Sequence, residues 1–198
     1  MNLVYVLAYM VLWPVFRILL PTKAVNKHNL PDRGALYCAN HTRLNDPLFV
    51  AFALGLSRQV HVMAKDEVMH WPVLGWILKK GGIFGVKRGK SDVTAIRTAL
   101  TYLKNGENLL LFPEGTRHQD GDMGDAKTGA AMLAVRTGVP IVPIYIPAEK
   151  HWFRFTPVVF GEPYYPKVAG RKGTSEEYRA TAEDLMGRIE ALKPQAER

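Results

Sequence analysis

Residues 35–54 read ALYCANHTRLNDPLFVAFAL. The first five are apolar without interruption, as expected for a strand that is buried on both faces. Polar residues follow at once, beginning with Asn40 and His41. Asp46 and Pro47 then stand where a helix start favours them, in front of a second apolar run. This stretch predicts a buried strand, a polar loop and a helix in direct succession.

The same alternation of short apolar strands and helical patterns continues along the chain. The predicted strands are residues 22–26, 35–39, 59–64, 83–86, 108–112, 141–146 and 156–160. Helical patterns cover residues 91–106 and 126–137, and Thr174 with Glu177 resembles a capping box before a last helix. The alternation predicts an α/β fold with a mixed, largely parallel sheet flanked by helices.

The first 20 residues form an almost entirely apolar arm, broken only by Asn2, Pro14 and Arg17. The arm lacks the positive start and the small residues at a cleavage site that a signal peptide carries. A spanning helix needs about 20 apolar residues, so a span is borderline, and Pro14 and Arg17 count against it. We expect an interfacial helix, or two short helices bent at Pro14, with a spanning helix and a helix packed on the core as alternatives. The expected organisation is a membrane-associated arm at residues 1–21 and one domain at residues 22–198.

Charge and cysteine content narrow the partners and the compartment. Lysine and arginine exceed aspartate and glutamate by 26 to 18. This excess favours an anionic partner, such as nucleic acid, lipid headgroups or a phosphorylated substrate, although a basic protein without such a partner is the alternative. We do not expect a nucleic-acid partner, because the sequence has no arginine-rich run or aromatic RNA-binding motif. Cys38 is the only cysteine, which excludes an intrachain disulfide and favours a reducing, cytosol-facing location.

Two histidine–aspartate pairs share one spacing, His41 with Asp46 and His61 with Asp66. A neutral imidazole accepts a proton from an alcohol, and a carboxylate on its other nitrogen fixes the tautomer. The first pair joins a loop to a helix start, so the chain can turn back and bring the two side chains together. The second pair begins inside a strand pattern, and we interpret His61 as a structural residue.

The sequence offers neither an obvious nucleophile nor a metal site. No serine lies in a Gly-x-Ser-x-Gly setting, and Cys38 lies in an apolar run. A loop with His118, Asp120, Asp122 and Asp125 is the one metal candidate, and we interpret it as a solvated acidic turn. We therefore expect His41 to act directly on a substrate hydroxyl, without a covalent intermediate.

Four blocks of sequence resemble the glycerolipid acyltransferase family, of the bacterial 1-acyl-sn-glycerol-3-phosphate acyltransferase type. Residues 40–47, NHTRLNDP, look like its first block, and residues 82–89, GIFGVKRG, resemble its second. Residues 112–117, FPEGTR, match the third, and residues 139–144, VPIVPI, resemble the fourth. The blocks occur in the family's order and span about half of the chain.

The resemblance implies a role for each matching residue. His41 would be the general base, Asp46 its orienting partner, and Arg88 the ligand of the acceptor phosphate. The acceptor site would be shaped by Glu114, Gly115, Thr116 and Arg117, with Lys87 and Lys127 as further positive charges. A structural ion pair for Glu114 and a solvated helix-start charge for Lys127 are the alternatives.

The function that the resemblance implies is transfer of a fatty acyl group to the sn-2 hydroxyl of lysophosphatidic acid, which gives phosphatidic acid. The donor would be acyl-CoA or acyl carrier protein, with no bound cofactor or metal, at the cytoplasmic face of the cell membrane, on which the protein would be peripheral or monotopic. The alternatives are a different lysophospholipid or aminolipid acceptor, and a non-catalytic lipid-binding protein.

Two features affect the acceptor site and the acyl chain. Many family members carry a larger residue at the position of Gly85, so we expect a more open site here. The apolar residues 48–54 and 73–78 suit either an acyl-chain groove or the protein core, and we favour the core.

Overall fold

The computed structural model describes residues 2–87, 92–118, 123–124, 126–170 and 173–197. Within these residues the chain forms one sheet of seven strands between two layers of helices. The strands are β1 (Thr22–Val25), β2 (Leu36–Ala39), β3 (Val60–Lys65), β4 (Ile83–Val86), β5 (Asn108–Leu111), β6 (Ile141–Tyr145) and β7 (Thr156–Phe160). The helices are α1 (Leu3–Leu19), α2 (Asp46–Leu54), α3 (Leu74–Lys80), α4 (Val93–Lys104), α5 (Gly129–Thr137), α6 (Ser175–Glu190) and α7 (Lys193–Ala196). Short 3₁₀ turns lie at Lys27–Asn29 and Asp66–His70.

The strand order places β2 near the centre of the sheet. The order is β1-β7-β6-β2-β5-β3-β4, and β2, β3, β4, β5 and β6 are parallel to one another. Strand β7 runs antiparallel to β6, and β1 runs parallel to β7. The expected α/β fold with a mixed, largely parallel sheet is therefore confirmed.

Two hydrophobic cores cover the two faces of the sheet. The alternation along β2 is representative, because Tyr37 and Ala39 belong to one core while Leu36 and Cys38 belong to the other. The first core includes α2 and part of α1, and the second includes α4, α5 and α6. The apolar side of α2, with Phe49 and Val50, is core, as we favoured for residues 48–54. Val73, Leu74 and Trp76 are exposed, so the same expectation for residues 73–78 was wrong.

The parallel strands bring their carboxyl ends to one edge of the sheet. The loops after β2 and β5 leave from neighbouring strands, because β2 pairs with β5 on one side and with β6 on the other. Ligand sites in open α/β sheets form at this edge, between loops that follow neighbouring strands. The polar residues that the sequence placed after these strands therefore converge there.

The apolar arm forms one continuous helix, α1, rather than two helices bent at Pro14. Tyr9 and Phe16 lie on opposite sides of Pro14 in the sequence, and both contact the ring of Phe52 on α2. This shared contact holds one helical face in place across the proline, so the expectation of two short helices was wrong. Among the described residues, no helix combines the length and the apolarity that a membrane crossing requires.

His61 lies near the start of β3, at the edge of the sheet opposite the functional loops. Its ring nitrogens lie 2.9 Å from the carbonyl oxygen of Gly82 and 2.7 Å from Glu107 Oε2. The ring also stacks on Tyr102, with the centroids 3.7 Å apart. Asp66 follows the other end of β3, so the strand itself separates the second histidine–aspartate pair. His61 has the contacts of a structural residue.

We expect His61→Ala to lower the free energy of unfolding by about 2–4 kcal/mol, because it removes the buried contact with Gly82, the partly buried contact with Glu107 and a stacked ring. Urea unfolding followed by circular dichroism measures the change. His28→Ala is the matched control, since His28 is exposed and its truncation should change stability by less than about 0.5 kcal/mol. Equal stability of the two variants would contradict the structural role of His61.

Candidate active site

The loop after β2 winds around the carboxylate of Asp46. One carboxylate oxygen, Oδ2, accepts hydrogen bonds from the backbone N–H of Thr42 at 2.7 Å and of Arg43 at 2.8 Å. The same oxygen lies 3.0 Å from Nδ1 of His41. Asp46 is 0% exposed, and as the first residue of α2 it is held by the helix behind it. The chain therefore turns back as the spacing of the two residues suggested.

His41 is fixed at its backbone and at its ring. Its N–H donates to Glu114 Oε1 at 2.8 Å, and its carbonyl oxygen accepts from the N–H of His118 at 2.9 Å. The ring stacks on Phe112, with the centroids 4.0 Å apart and the planes at 22°. Because a carboxylate accepts, Nδ1 carries the hydrogen that it donates to Asp46, and Nε2 is left as the basic nitrogen.

Lys150 completes the environment of Asp46 from the loop after β6. Its Nζ lies 2.8 Å from Asp46 Oδ1, and the two side chains form an ion pair. Nζ also donates to Thr42 Oγ1 at 3.0 Å and to the carbonyl oxygen of Pro147 at 2.9 Å. The side chain is 5% exposed. Asp46 thus lies between an imidazole and an ammonium group.

Asn40 connects the loop that carries His41 with the loop that carries Lys150. Its side-chain amide donates to the carbonyl oxygen of Ile146 at 2.8 Å, and its Oδ1 accepts from the N–H of Ile146 at 2.8 Å. Both bonds are buried. They continue the pairing of β2 with β6 beyond the last residues of the strands, and they fix the distance between the two loops.

The turn after β5 places Glu114 against the backbone of His41. Gly115 has a φ of +70°, a left-handed conformation that glycine adopts without strain, and its N–H donates to the carbonyl oxygen of Phe112 at 3.0 Å. This turn directs Glu114 inward, where its second oxygen accepts from the N–H of Gly124 at 3.2 Å. A Cβ at Gly115 would contact Lys127, which borders the same turn.

Opposing effects act on the charged groups around His41. Burial alone would raise the pKa of Asp46, but the hydrogen bond with His41, the charge of Lys150 and the backbone donors together lower it below the ordinary value. Burial lowers the pKa of Lys150, Asp46 opposes this change, and the charge of Arg43 adds to it. Asp46 is therefore a carboxylate at neutral pH.

Glu114 and Cys38 are affected chiefly by burial. Burial raises the pKa of Glu114, and the N–H groups of His41 and Gly124 offset part of the increase. Burial also raises the pKa of the Cys38 thiol. Cys38 faces the core that contains α4, α5 and α6, so its contacts are those of a small apolar side chain.

The remaining predicted site residues lie at the same edge of the sheet with their side chains exposed. Lys87 follows β4, Thr116 and Arg117 follow Glu114 in the turn after β5, and Lys127 precedes α5. Arg88 lies outside the described residues. The structure thus brings His41 into direct contact with both Asp46 and Glu114, and it leaves the four other residues exposed at the same edge of the sheet.

Gly85 packs closely against the 3₁₀ turn at Asp66–His70. A Cβ at this position would lie 2.5 Å from Asp66 Oδ1 and 3.1 Å from Met69 Cγ. The 3₁₀ turn at Asp66–His70 therefore occupies the space that a larger side chain would take. Gly85 and Lys87 also line a cavity of about 340 Å³, so our expectation of a more open site at Gly85 stays a prediction.

Sequence reasoning missed several residues that build the site. Lys150 gave no signal, because a single lysine in a loop has no periodicity and matches none of the four blocks. Asn40 and Phe112 stood inside two of the blocks, but their roles depend on contacts with distant segments.

The acidic loop that we considered for a metal is described only in part. Asp120, Asp122 and Asp125 lie outside the described residues, while His118 Nε2 lies 3.6 Å from Glu114 Oε2. Among the described residues, no group of three or more histidine, cysteine, aspartate or glutamate side chains is placed to hold a metal ion.

A histidine–aspartate pair at the carboxyl edge of a largely parallel sheet defines the class of the protein as an α/β domain equipped for general-base chemistry. The family model described as Acyltransferase matches residues 22–147, and the chain belongs to this family.

Individual relatives agree with this assignment. The chain is 31% identical over 177 residues to the 1-acyl-sn-glycerol-3-phosphate acyltransferase of Bacillus subtilis, a match that covers 86% of this chain and 87% of the relative. It is 36% identical over 120 residues to the chloroplastic 1-acyl-sn-glycerol-3-phosphate acyltransferase BAT2 of Brassica napus, covering 59% of this chain. That match spans only 34% of the plant protein's length.

A solved structure is similar as well. The crystal structure of PlsC, the 1-acyl-sn-glycerophosphate (LPA) acyltransferase of Thermotoga maritima, matches with a TM-score of 0.65 and 31% identity. The match covers 88% of this chain and 73% of that chain. The sheet and helices described above are therefore those of a PlsC-like acyltransferase fold.

We expect Asn40→Ala to lower the free energy of unfolding by about 2–4 kcal/mol, because it leaves the buried N–H and carbonyl of Ile146 without their partner. Urea unfolding measures the loss, and amide hydrogen exchange should show faster exchange at Ile146. Asn105→Ala is the control, since the Asn105 side chain bonds only at the surface. Unchanged exchange at Ile146 would show that the amide does not hold the two loops together.

Proposed function

We propose that this chain transfers a fatty acyl group from acyl-CoA or acyl carrier protein to the sn-2 hydroxyl of lysophosphatidic acid, giving phosphatidic acid. The observation that carries the proposal is the buried contact between His41 and Asp46, 3.0 Å long, in a chain of the acyltransferase family. The names of the relatives from B. subtilis and T. maritima supply the acceptor.

The chemistry needs one base and no covalent enzyme intermediate. Nε2 of His41 takes the proton of the acceptor hydroxyl while the oxygen attacks the thioester carbonyl carbon. Asp46 stabilises the imidazolium that forms. When the tetrahedral intermediate collapses, the carbon–sulfur bond breaks and the imidazolium returns its proton to the thiolate. The products are the acyl ester and the free thiol of the donor.

Positive side chains around the dyad suit an acceptor that carries a phosphate. Lys87, Arg117 and Lys127 are exposed at the edge that holds His41. We assign the direct phosphate contact to Arg88, whose planar group of donors matches phosphate oxygens. An aminolipid acceptor of similar shape is the alternative within the same chemistry.

The outer face of α1 supports attachment to a membrane surface. Tyr9 and Phe16 pack inward on α2, whereas the opposite face presents a continuous apolar stripe. Each residue of the stripe is more than half exposed: Leu3, Leu7, Met10, Val11 and Ile18. An exposed apolar helix face of this kind can insert into one leaflet without crossing the bilayer. We place the protein on the cytoplasmic face of the cell membrane.

All four tryptophans are exposed, and three lie near the ends of α1. Trp71 and Trp76 flank the start of α3, whose last residue accepts a hydrogen bond from the Asn2 side chain at the start of α1. Trp152 precedes Phe153, whose N–H donates to the carbonyl oxygen of Leu19 at the end of α1. Tryptophan favours the boundary between lipid and water, so these side chains extend the apolar surface of α1 in both directions.

We expect His41→Ala to lower kcat by about 10²–10⁴, the usual contribution of a general base. Turnover is measured as the release of free thiol from acyl-CoA or from acylated acyl carrier protein. The acceptors are lysophosphatidic acid, a monoacylglycerol and a lysoaminolipid. His28→Ala is the matched control and should turn over like the wild type. Wild-type protein that binds these lipids but releases no thiol would favour the lipid-binding alternative.

A second prediction concerns the stripe on α1. The triple variant Leu7→Gln, Met10→Gln and Ile18→Gln should leave the fold intact and reduce sedimentation with anionic phospholipid vesicles at high salt, because the packed face of α1 is untouched.

The control for the stripe is the pair Arg179→Gln and Glu183→Gln on α6. These two residues form an exposed ion pair, and α6 lies on the opposite face of the sheet from α1. Net charge is unchanged in this control. If the triple variant sediments as fully as the control, another surface attaches the protein.

A further inference from the structure

Lys150 has contacts that lysines seldom have. Its side chain is 5% exposed, and lysine is almost never this buried unless it is paired with an opposite charge. Asp46, which is fully buried, supplies that charge at 2.8 Å. Thr42 and Pro147 accept hydrogen bonds from the ammonium group. The ring of Phe49 lies beside the same group, with its centre 5.6 Å from Nζ. The position of this charge is therefore fixed by the fold.

The charge of Lys150 acts on His41 through Asp46. A buried carboxylate beside an imidazole favours the protonated, positively charged ring. An imidazolium has no lone pair on Nε2 and cannot take a proton from an alcohol. A cation on the far oxygen of the same carboxylate opposes that effect, because it neutralises the charge that would attract the proton. The three groups together carry no net charge when His41 is neutral.

We propose that Lys150 is a positioning residue that neutralises Asp46 and so keeps His41 in the neutral form that acts as the base. The inference rests on the proposed function, in which His41 takes the proton of the acceptor hydroxyl. Lys150 touches neither substrate nor donor in this role. It sets the pH range in which the dyad works.

Other charged groups surround the dyad, and each differs from Lys150 in its contacts. Arg43 lies in the same loop and bonds Asp46 through its backbone N–H. Glu114 and His118 come from the segment after β5 and contact the backbone of His41. Burial raises the pKa of Glu114, and this carboxyl group has no contact with Lys150 among the described residues. A change at Lys150 therefore leaves the Glu114 contribution the same in variant and wild type.

The test compares pH–rate profiles of wild type, Lys150→Met and Lys150→Gln. Without the positive charge of Lys150, the carboxylate of Asp46 favours the imidazolium, so the acid limb of kcat/KM should move to higher pH by about one unit or more. Below both midpoints the variants should then be about tenfold slower than the wild type. Above both midpoints they should be about equally fast. Lys150→Gln retains a donor for Thr42 and Pro147. This variant therefore allows the same measurement if Lys150→Met does not fold.

Two further variants separate charge from packing. Lys150→Arg keeps the positive charge and should keep the acid limb of the wild type. Lys104→Met removes a positive charge from the exposed last turn of α4 and should leave the profile unchanged. A profile that does not move in Lys150→Met and Lys150→Gln, or that moves equally in Lys150→Arg, would overturn the proposal.

An NMR titration of His41 gives a readout that does not depend on substrate. The imidazole carbon signals of His41 should change at higher pH in Lys150→Gln than in the wild type, while His28 serves as an internal reference. Absence of turnover by the wild type at every pH would contradict the proposed function alone. An unchanged His41 titration would contradict the role of Lys150 even if the enzyme is active.

Discussion

The buried charge of Asp46 is the constraint on which the rest of the site depends. An ionised carboxylate without access to water is strongly destabilising unless donors and an opposite charge surround it. Two backbone N–H groups of the preceding loop, the ring of His41 and the ammonium group of Lys150 meet this requirement. The loop can satisfy the carboxylate only by winding back on itself, and this winding is what brings His41 to its partner.

The central place of β2 in the sheet makes these contacts possible. Its neighbours are β5 on one side and β6 on the other, all three parallel. The three loops beyond their carboxyl ends therefore meet, and they supply His41, Glu114 and Lys150. Asn40 connects two of these loops with a pair of buried hydrogen bonds. This residue of the first sequence block therefore fixes the position of the Lys150 loop relative to the His41 loop.

Local sequence signals predicted most of the elements, because each depended on residues close together in the chain. The apolar run at residues 35–39, the helix start at Asp46 and the cap at Thr174 all appear in the structure as expected. The contact of His41 with Asp46 was predictable for the same reason, since only four residues separate them. The second pair of the same spacing was separable from the first by its strand context alone.

The features that the sequence did not reveal depend on contacts across the chain. Lys150 meets Asp46 across more than a hundred residues, and no local pattern marks it. The continuity of α1 through Pro14 depends on the ring of Phe52, which lies on another helix. The space beside Gly85 is filled by a turn that precedes α3. In each case the local rule described what the segment favours in isolation, and tertiary packing decided the outcome.

One short helix joins the apolar surface of the arm to the histidine–aspartate pair. Asp46 is the first residue of α2, and Phe49 and Phe52 on the same helix contact Phe16 of α1. Because α2 has only nine residues, and an α-helix rises about 1.5 Å per residue, the packed aromatic rings lie within two turns of the carboxylate. The rings pack in edge and tilted arrangements, which are the geometries that aromatic pairs favour. The packing of α2 thus sets the distance between the dyad and α1, and under the proposed membrane attachment the same packing would set the depth at which the base meets a lipid substrate.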